Sequence, residues 1–309
     1  MKTTALCAAL AGFLTLAAGV SRPVAAQQAQ NDIEIIHVQG NVHVLVGLGA
    51  NIAVQVGEDG VLVVDTGVTA MSDKVIAAIR RLTRGPIRWI VNTNGDPDHT
   101  GGNEAISRAG KTVNGNAAAI HAHEKVLLRM DKGGVPESFW PFNTYYESSK
   151  DLPFNDEAVF LYHEPAAHTD GDTVVYFRRS DVVVTGDVFM TTTYPVIDLK
   201  NGGSVQGMID ALNHILELTV PQKQEEGGTY VIPGHGRVCD EADVLEYRDM
   251  LVIVRDRVQD LIKKGMTLEQ VKAARPSLDF DPRYSAESGP SSTAMFIETM
   301  YQDLSQKKK

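Results

Sequence analysis

The stretch Asn92-Thr93-Asn94-Gly95-Asp96-Pro97-Asp98-His99-Thr100-Gly101-Gly102-Asn103 lies between a short apolar run, Ile87 to Val91, and a segment with helical spacing from Gly102 onward. Such a polar loop at the end of a buried strand sits where α/β proteins bind ligands. Asp96, Asp98 and His99 fall within four residues and can point into one cavity. They offer the oxygen and nitrogen atoms that hard or borderline metal ions take. Asp and Asn also favour turns, so by itself the segment reads equally well as an acidic surface loop.

Three later pieces shift that balance. Ala167-His168-Thr169-Asp170-Gly171-Asp172 precedes an apolar run, Thr185-Gly186-Asp187-Val188-Phe189 ends one, and Pro233-Gly234-His235-Gly236 follows another. Each puts one potential ligand at a strand end, and the neighbouring glycines permit the tight backbone paths of a crowded site.

Outward from these pieces the chain reads as strands first, then strands and helices mixed. Ile33–Ile36, Val42–Val46, Ile52–Val56 and Val61–Val64 form a meander, one hairpin of which closes through Gly57-Glu58-Asp59-Gly60. Beyond Asp65, apolar spacing predicts strands at 87–91, 111–114, 158–163, 173–178, 181–185 and 229–232. It predicts helices at 73–83, with Ser72 as cap, and at 102–109, 116–130, 204–218, 240–263, 267–274 and 290–304. In the helix from 240, Val244, Tyr247, Leu251, Val254, Val258 and Leu261 make one apolar stripe. Residues 131–156, with Gly133-Gly134 and an aromatic cluster, predict a long ordered loop. There is no dinucleotide glycine fingerprint. The order of elements predicts an α/β protein with two mixed β-sheets face to face and helices on the outside, an αβ/βα sandwich.

Residues 1–26 have the layout of a secretory signal peptide: Lys2, an apolar run from Ala5 to Val20, and small residues Val24-Ala25-Ala26 before Gln27. That run is shorter than the roughly 20 residues of a membrane-spanning helix. The expectation is therefore a periplasmic or secreted protein with one domain over residues 27–309. Cys7 leaves with the leader, and Cys239, alone and without an adjacent base, reads as an inert thiol. With 29 basic against 39 acidic side chains the formal charge is −10, which disfavours a nucleic-acid partner; the Lys307-Lys308-Lys309 run reads as a solvated end.

The four ligand-bearing pieces resemble, in order and spacing, the metallo-β-lactamase superfamily, whose motif runs His-x-His-x-Asp-His, then His, then Asp or Cys, then His in Pro-Gly-His-Gly. The resemblance extends from about Val42 through His235 and implies a hydrolase holding one or two Zn²⁺ ions that activate water against a small-molecule carbonyl. By the same resemblance Asp98, His99 and His235 hold one metal, His168 belongs to the other, and Asp187 bridges them. Asp98 is also the catalytic residue that orients the hydroxide, while Asp65 and Asp172 support the ligand loops. Where the family has its first two histidines this chain has Asn94 and Asp96. That exchange implies a weak first site, with Asn94 a poor neutral ligand, and a harder donor set open to Mn²⁺ or Fe²⁺. A non-catalytic binding relative that has lost one metal is the alternative, and an iron oxidoreductase in the same cage a third.

Other candidates read as structural. His121 and His123, two apart on the expected helix 116–130, would face different directions. His163 and His214 read as packing residues. Trp140, Phe142, Tyr145, Tyr146 and Tyr194 divide between core and a substrate wall, and Trp140, Tyr145, Tyr146 and Tyr194 are taken as the wall.

Overall fold

The computed structural model describes residues 33–47, 49–221 and 227–306. The expected leader, 1–26, and the Lys307–Lys309 tail lie outside the described residues.

Among the described residues, twelve strands form two sheets. The first begins as the expected meander, β1 (Glu34–Gln39), β2 (Val42–Val46), β3 (Ile52–Gly57) and β4 (Gly60–Val64). It continues in parallel through β5 (Ile87–Val91), β6 (Ala119–His123) and β7 (Asn143–Tyr145). The second sheet orders β8 (Ser149–Phe154), β9 (Glu157–Glu164), β10 (Asp172–Phe177), β11 (Val182–Val184) and β12 (Tyr230–Ile232), antiparallel except for the β11–β12 pair. The helices are α1 (Ser72–Leu82), α2 (Pro97–Thr100), α3 (Asn103–Ala109), α4 (Glu124–Lys132), α5 (Val205–Leu218), α6 (Glu241–Lys263), α7 (Leu268–Ala273), α8 (Asp281–Tyr284) and α9 (Thr293–Gln306).

The pleat explains the layers. Along β4, Leu62 and Val64 point to the second sheet and pack with Phe154, Leu161, Val175 and Phe177. Val61 and Val63 point the other way, under Val75 and Ile79 of α1 and Ile106 of α3. Every residue of β4 is buried, as a strand covered on both faces requires. On the second sheet Val174, Val183 and Val231 face α5, α6 and α9. This is the αβ/βα sandwich. The α6 stripe is buried as its spacing predicts, and Asp240 and Asp243 close a capping box at its start.

Four local expectations failed. The predicted helix 116–130 is β6 followed by α4, and the predicted strand 111–114 is a turn in which Thr112 and Asn116 bond each other. Ala118, Ile120 and Ala122 alternate with period two, and the His123 ring accepts from Lys125 N to start the helix. The expected long loop 131–156 contains β7 and β8, because here the chain passes from the edge of one sheet to the edge of the other. Finally, Ser72 does not cap α1 but opens it, its hydroxyl donating to Thr69 O.

Candidate metal centre

All the ligand candidates come from strand ends on one rim of the sandwich. Asp65 follows β4 with φ at +63°, a left-handed conformation that Asp tolerates better than most residues. The turn aims its carboxylate at the loop after β5: Oδ1 accepts from Thr93 N at 2.8 Å, and Oδ2 accepts from Thr93 Oγ1 at 2.7 Å. The same Oδ2 lies 2.7 Å from His99 Nδ1, so the imidazole is turned with Nε2 toward the rim. Asp172 does the equivalent for the His168 loop, accepting from Thr169 N and Oγ1 at 2.7 and 2.9 Å. His168 Nδ1 is 2.8 Å from Val196 O, which again leaves Nε2 for the centre. His235 Nδ1 is 3.1 Å from Gly49 O.

Asp187 stands in the middle. Its Oδ2 is 3.1 Å from His99 Nε2 and 3.8 Å from His168 Nε2, and its Oδ1 is 3.3 Å from His235 Nε2. Two neighbours must be glycine for this approach. A Cβ on Gly186, where φ is +52°, would meet the Thr93 side chain at 2.5 Å, and one on Gly234 would meet Asp187 Oδ1 at 2.5 Å.

Ligand-grade atoms therefore converge in two groups, Asp98 with His99 and His235, and Asp96 with His168 and Asp187. His99 Nε2 and Asp187 Oδ1 are buried and meet only Asp187 Oδ2 and His235 Nε2, at 3.1 and 3.3 Å in poor alignment, an arrangement that a bound cation relieves. The carboxylates favour the protonated form of the imidazoles that face them. Hydrogen bonds to Asp187 and Asp98 push His235 up to about 9. Burial opposes charge on His168, but Asp96, Asp172 and Asp187 together raise it to about 10. Burial likewise opposes the charged form of Asp187, yet His99, His235 and His168 hold it well below the usual carboxylate range. A divalent cation fits the first group as a replacement for these protons.

The residues 45–238 match the metallo-beta-lactamase superfamily. The chain belongs to that superfamily. Its members are mostly metal-dependent hydrolases, typically with zinc. A double mutant of the sec-alkyl sulfatase PisA1, a Pseudomonas sp. protein, superposes with a TM-score of 0.68 at 15% identity, over 88% of this chain and 50% of its own. This chain thus spans about half the length of that protein. The DIM-1 metallo-beta-lactamase gives 0.58 at 15% identity over 72% and 97% of the two chains. A metallo-beta-lactamase from Pontibacter korlensis gives 0.56 at 16% over 72% and 99%. At these identities the likeness is one of fold. No characterised protein is significantly similar by sequence.

The two positions that depart from the superfamily motif behave differently. Asp96 reaches the centre, with Oδ2 3.1 Å from His168 Nε2, but its Oδ1 is 2.5 Å from the Arg129 guanidinium. Asn94, expected as a weak ligand, is turned away from that role. Its Oδ1 accepts from Asp96 N at 2.9 Å and its Nδ2 donates to Asp187 Oδ2 at 3.1 Å.

The expected aromatic wall is not at the centre. Tyr194 is fully buried, stacked on Phe296 at 4.3 Å, with its hydroxyl donating to Asp281 Oδ1 at 2.9 Å. Tyr145 is core as well and pairs with Thr173 Oγ1 at 2.8 Å across the two sheets. Trp140 donates to Val135 O and lines a separate groove with Phe142, and Tyr146 is exposed. A cavity of about 360 Å³ over the ligands has instead Met190, Thr192, Thr193, Val196, Pro290 and Ser291 as its other lining. The last two come from the C-terminal segment that Tyr194 anchors through Asp281. Asn51 also escaped sequence reading; its amide donates to Pro233 O and Gly236 O, both at 2.9 Å, and so brackets His235.

His121 and His123 are on β6, not a helix, and both are buried. Burial lowers His121 to about 4, and its ring packs edge-on against Trp89. His123 stacks on His163 at 3.5 Å, and His214 pairs with Glu164. His121→Ala is expected to lower stability by roughly 1–3 kcal/mol, as buried truncations do, while metal content stays unchanged; urea unfolding and elemental analysis of one sample check both. Cys239 is buried, and that burial pushes its thiol up to about 12, in keeping with an inert role.

Proposed function

We propose that this protein is an exported hydrolase that cleaves an ester, lactone, thioester or β-lactam carbonyl of a small molecule with a divalent metal held by Asp98, His99, His235 and Asp187. The convergence of those four side chains on one point of the rim carries the reading. Two imidazoles and two carboxylates suit Zn²⁺, and the oxygen share keeps Mn²⁺ or Fe²⁺ in contention. Export rests on the leader-like layout of residues 1–26; among the described residues no helix is long and apolar enough to cross a membrane.

A metal at such a site lowers the pKa of water from ~15.7 to near ~7 and polarises a carbonyl. The rest is supplied by side chains. His235, as the first cause, and His99 hold Asp98 below its usual carboxylate range, so it is ionised at neutral pH. Its Oδ2 is 3.3 Å from His235 Nε2, and the side chain is about one-third exposed to the cavity, which leaves it free to accept a proton from water. Asp65 fixes the ring of His99, and a wall of Met190, Val196 and Pro290 with the hydroxyls of Thr192, Thr193 and Ser291 suits a compact acyl group. The Arg129 clasp on Asp96 gives the alternative, a non-catalytic binding relative, its one supporting observation.

A panel of β-lactam, lactone, thioester, aryl ester and secondary alkyl sulfate substrates separates the two. Turnover of at least one is expected, abolished by EDTA and restored best by a single divalent metal. Protein that binds metal but turns over none would be the binding relative, and activity untouched by chelation would end the hydrolase reading.

A further inference from the structure

We propose that Arg129 closes the first metal position of this superfamily, its guanidinium serving as the fixed cation beside Asp96, so that the protein carries one metal. The inference rests on the hydrolase reading above and concerns the three residues that stand where the first metal would be held: Asn94, Asp96 and His168.

Arg129 comes from α4, 33 residues beyond Asp96. Val126 and Met130 are buried and seat that helix against the sandwich. The arginine stem runs beside Gly95, between the two departing positions: a Cβ there would lie in ordinary contact with Arg129 Cδ at 3.6 Å. Its Nη2 reaches Asp96 Oδ1 at 2.5 Å and lies 3.8 Å from Asp198 Oδ2. Asp198 is itself fixed by the backbone N–H groups of Lys200 and Asn201 and by the Asn201 amide. Arg129 thus pairs with Asp96, with the Asp198 carboxylate close to the same nitrogen, in a partly buried place that suits a permanently charged group.

The donors left over are poor. Asp96 spends one oxygen on Arg129. The Asn94 orientation is set by chemistry, since a backbone N–H of Asp96 faces its Oδ1 and only a carbonyl oxygen can accept there. Its amide hydrogens consequently point at Asp187 Oδ2, the atom that would bridge two metals. Besides Asp187, the ligand atoms that remain are His168 Nε2 and Asp96 Oδ2, 3.1 Å apart. A dication placed among these groups would sit beside a guanidinium and an N–H donor, both repulsive to it. The group of Asp98, His99 and His235 has no such neighbour among the described residues: its members pair with one another and with Asp65 and Asp187. Arg129 acts through Asp96 and is a positioning residue.

Metal-stripped full-length protein is titrated with Zn²⁺, ions per chain are counted by elemental analysis after desalting, and dissociation constants are taken by calorimetry. Wild type is expected to hold one ion. Arg129→Met, which frees the Asp96 carboxylate, is expected to hold two, and Arg129→Lys, which keeps a cation, one. Should Arg129→Met fail to fold, Asn94→His in the wild-type background gives an independent reading: an added imidazole with Arg129 still in place is expected to leave the count at one. Replacing Asn94 and Asp96 together by histidine removes the carboxylate that Arg129 grips and is expected to give two. Two tight ions on wild type, one on folded Arg129→Met, or two on Asn94→His each overturn the inference and leave the hydrolase reading standing. No ion on any variant overturns both.

Discussion

Asp187→Ala is expected to leave the protein without tightly bound metal and to lower kcat/KM on whichever panel substrate it hydrolyses by at least about 1,000-fold. Losing a partner of a metal ligand costs ~10- to 100-fold, and this residue touches the centre itself. Its carboxylate is the common neighbour of His99, His168 and His235, at 3.1, 3.8 and 3.3 Å. Without it three imidazoles face one another with no central anion, and a divalent ion loses its shared oxygen donor. Asp187→Asn keeps the shape and removes the charge, so it isolates the electrostatic share. Retention of one ion per chain by the alanine variant would remove Asp187 from the ligand set.

Asp65→Ala is expected to weaken metal binding by about 10- to 100-fold although Asp65 never reaches the cavity. Its two oxygens satisfy Thr93 N, Thr93 Oγ1 and His99 Nδ1, so removal strands buried donors and frees the His99 ring. Each stranded donor costs about 1–3 kcal/mol, and alanine in the left-handed region adds roughly 1–2. Asp65→Asn preserves the backbone turn and a Thr93 bond while failing to favour the proton on His99 Nδ1. It is expected to recover most of the stability and less of the affinity. Chelator competition reads the affinity and urea unfolding the stability; equal loss of both in the two variants would show that Asp65 only holds the fold.

Residues whose role is local were legible in the sequence, and those whose role is long-range were not. His99, Asp187 and His235 each sit beside a glycine-bearing turn at a strand end, so type and setting appear together in one short window. The β4 and α6 patterns were likewise legible, because burial on both faces or on one stripe leaves a periodic trace. Arg129 left no such trace: it is one of three basic residues on α4, and only the packing of that helix brings it to Asp96. Pro290 and Ser291 reach the cavity through a C-terminal segment held by Tyr194, which is why that tyrosine is core and not wall. The segment around His121 and His123 misled for a different reason. Its alanines favour a helix, while burial of Ile120 to His123 on both faces, with His121 edge-on against Trp89, makes a strand.

Hydrolysis is expected to depend on metal at the Asp98, His99, Asp187 and His235 centre. Metal-stripped protein titrated with Zn²⁺ while turnover of its best panel substrate is followed tests this directly. The rate is expected to rise linearly from zero and to break sharply at one ion per chain. Turnover in stripped protein equal to that of the loaded protein, with no dependence on added metal, would contradict it.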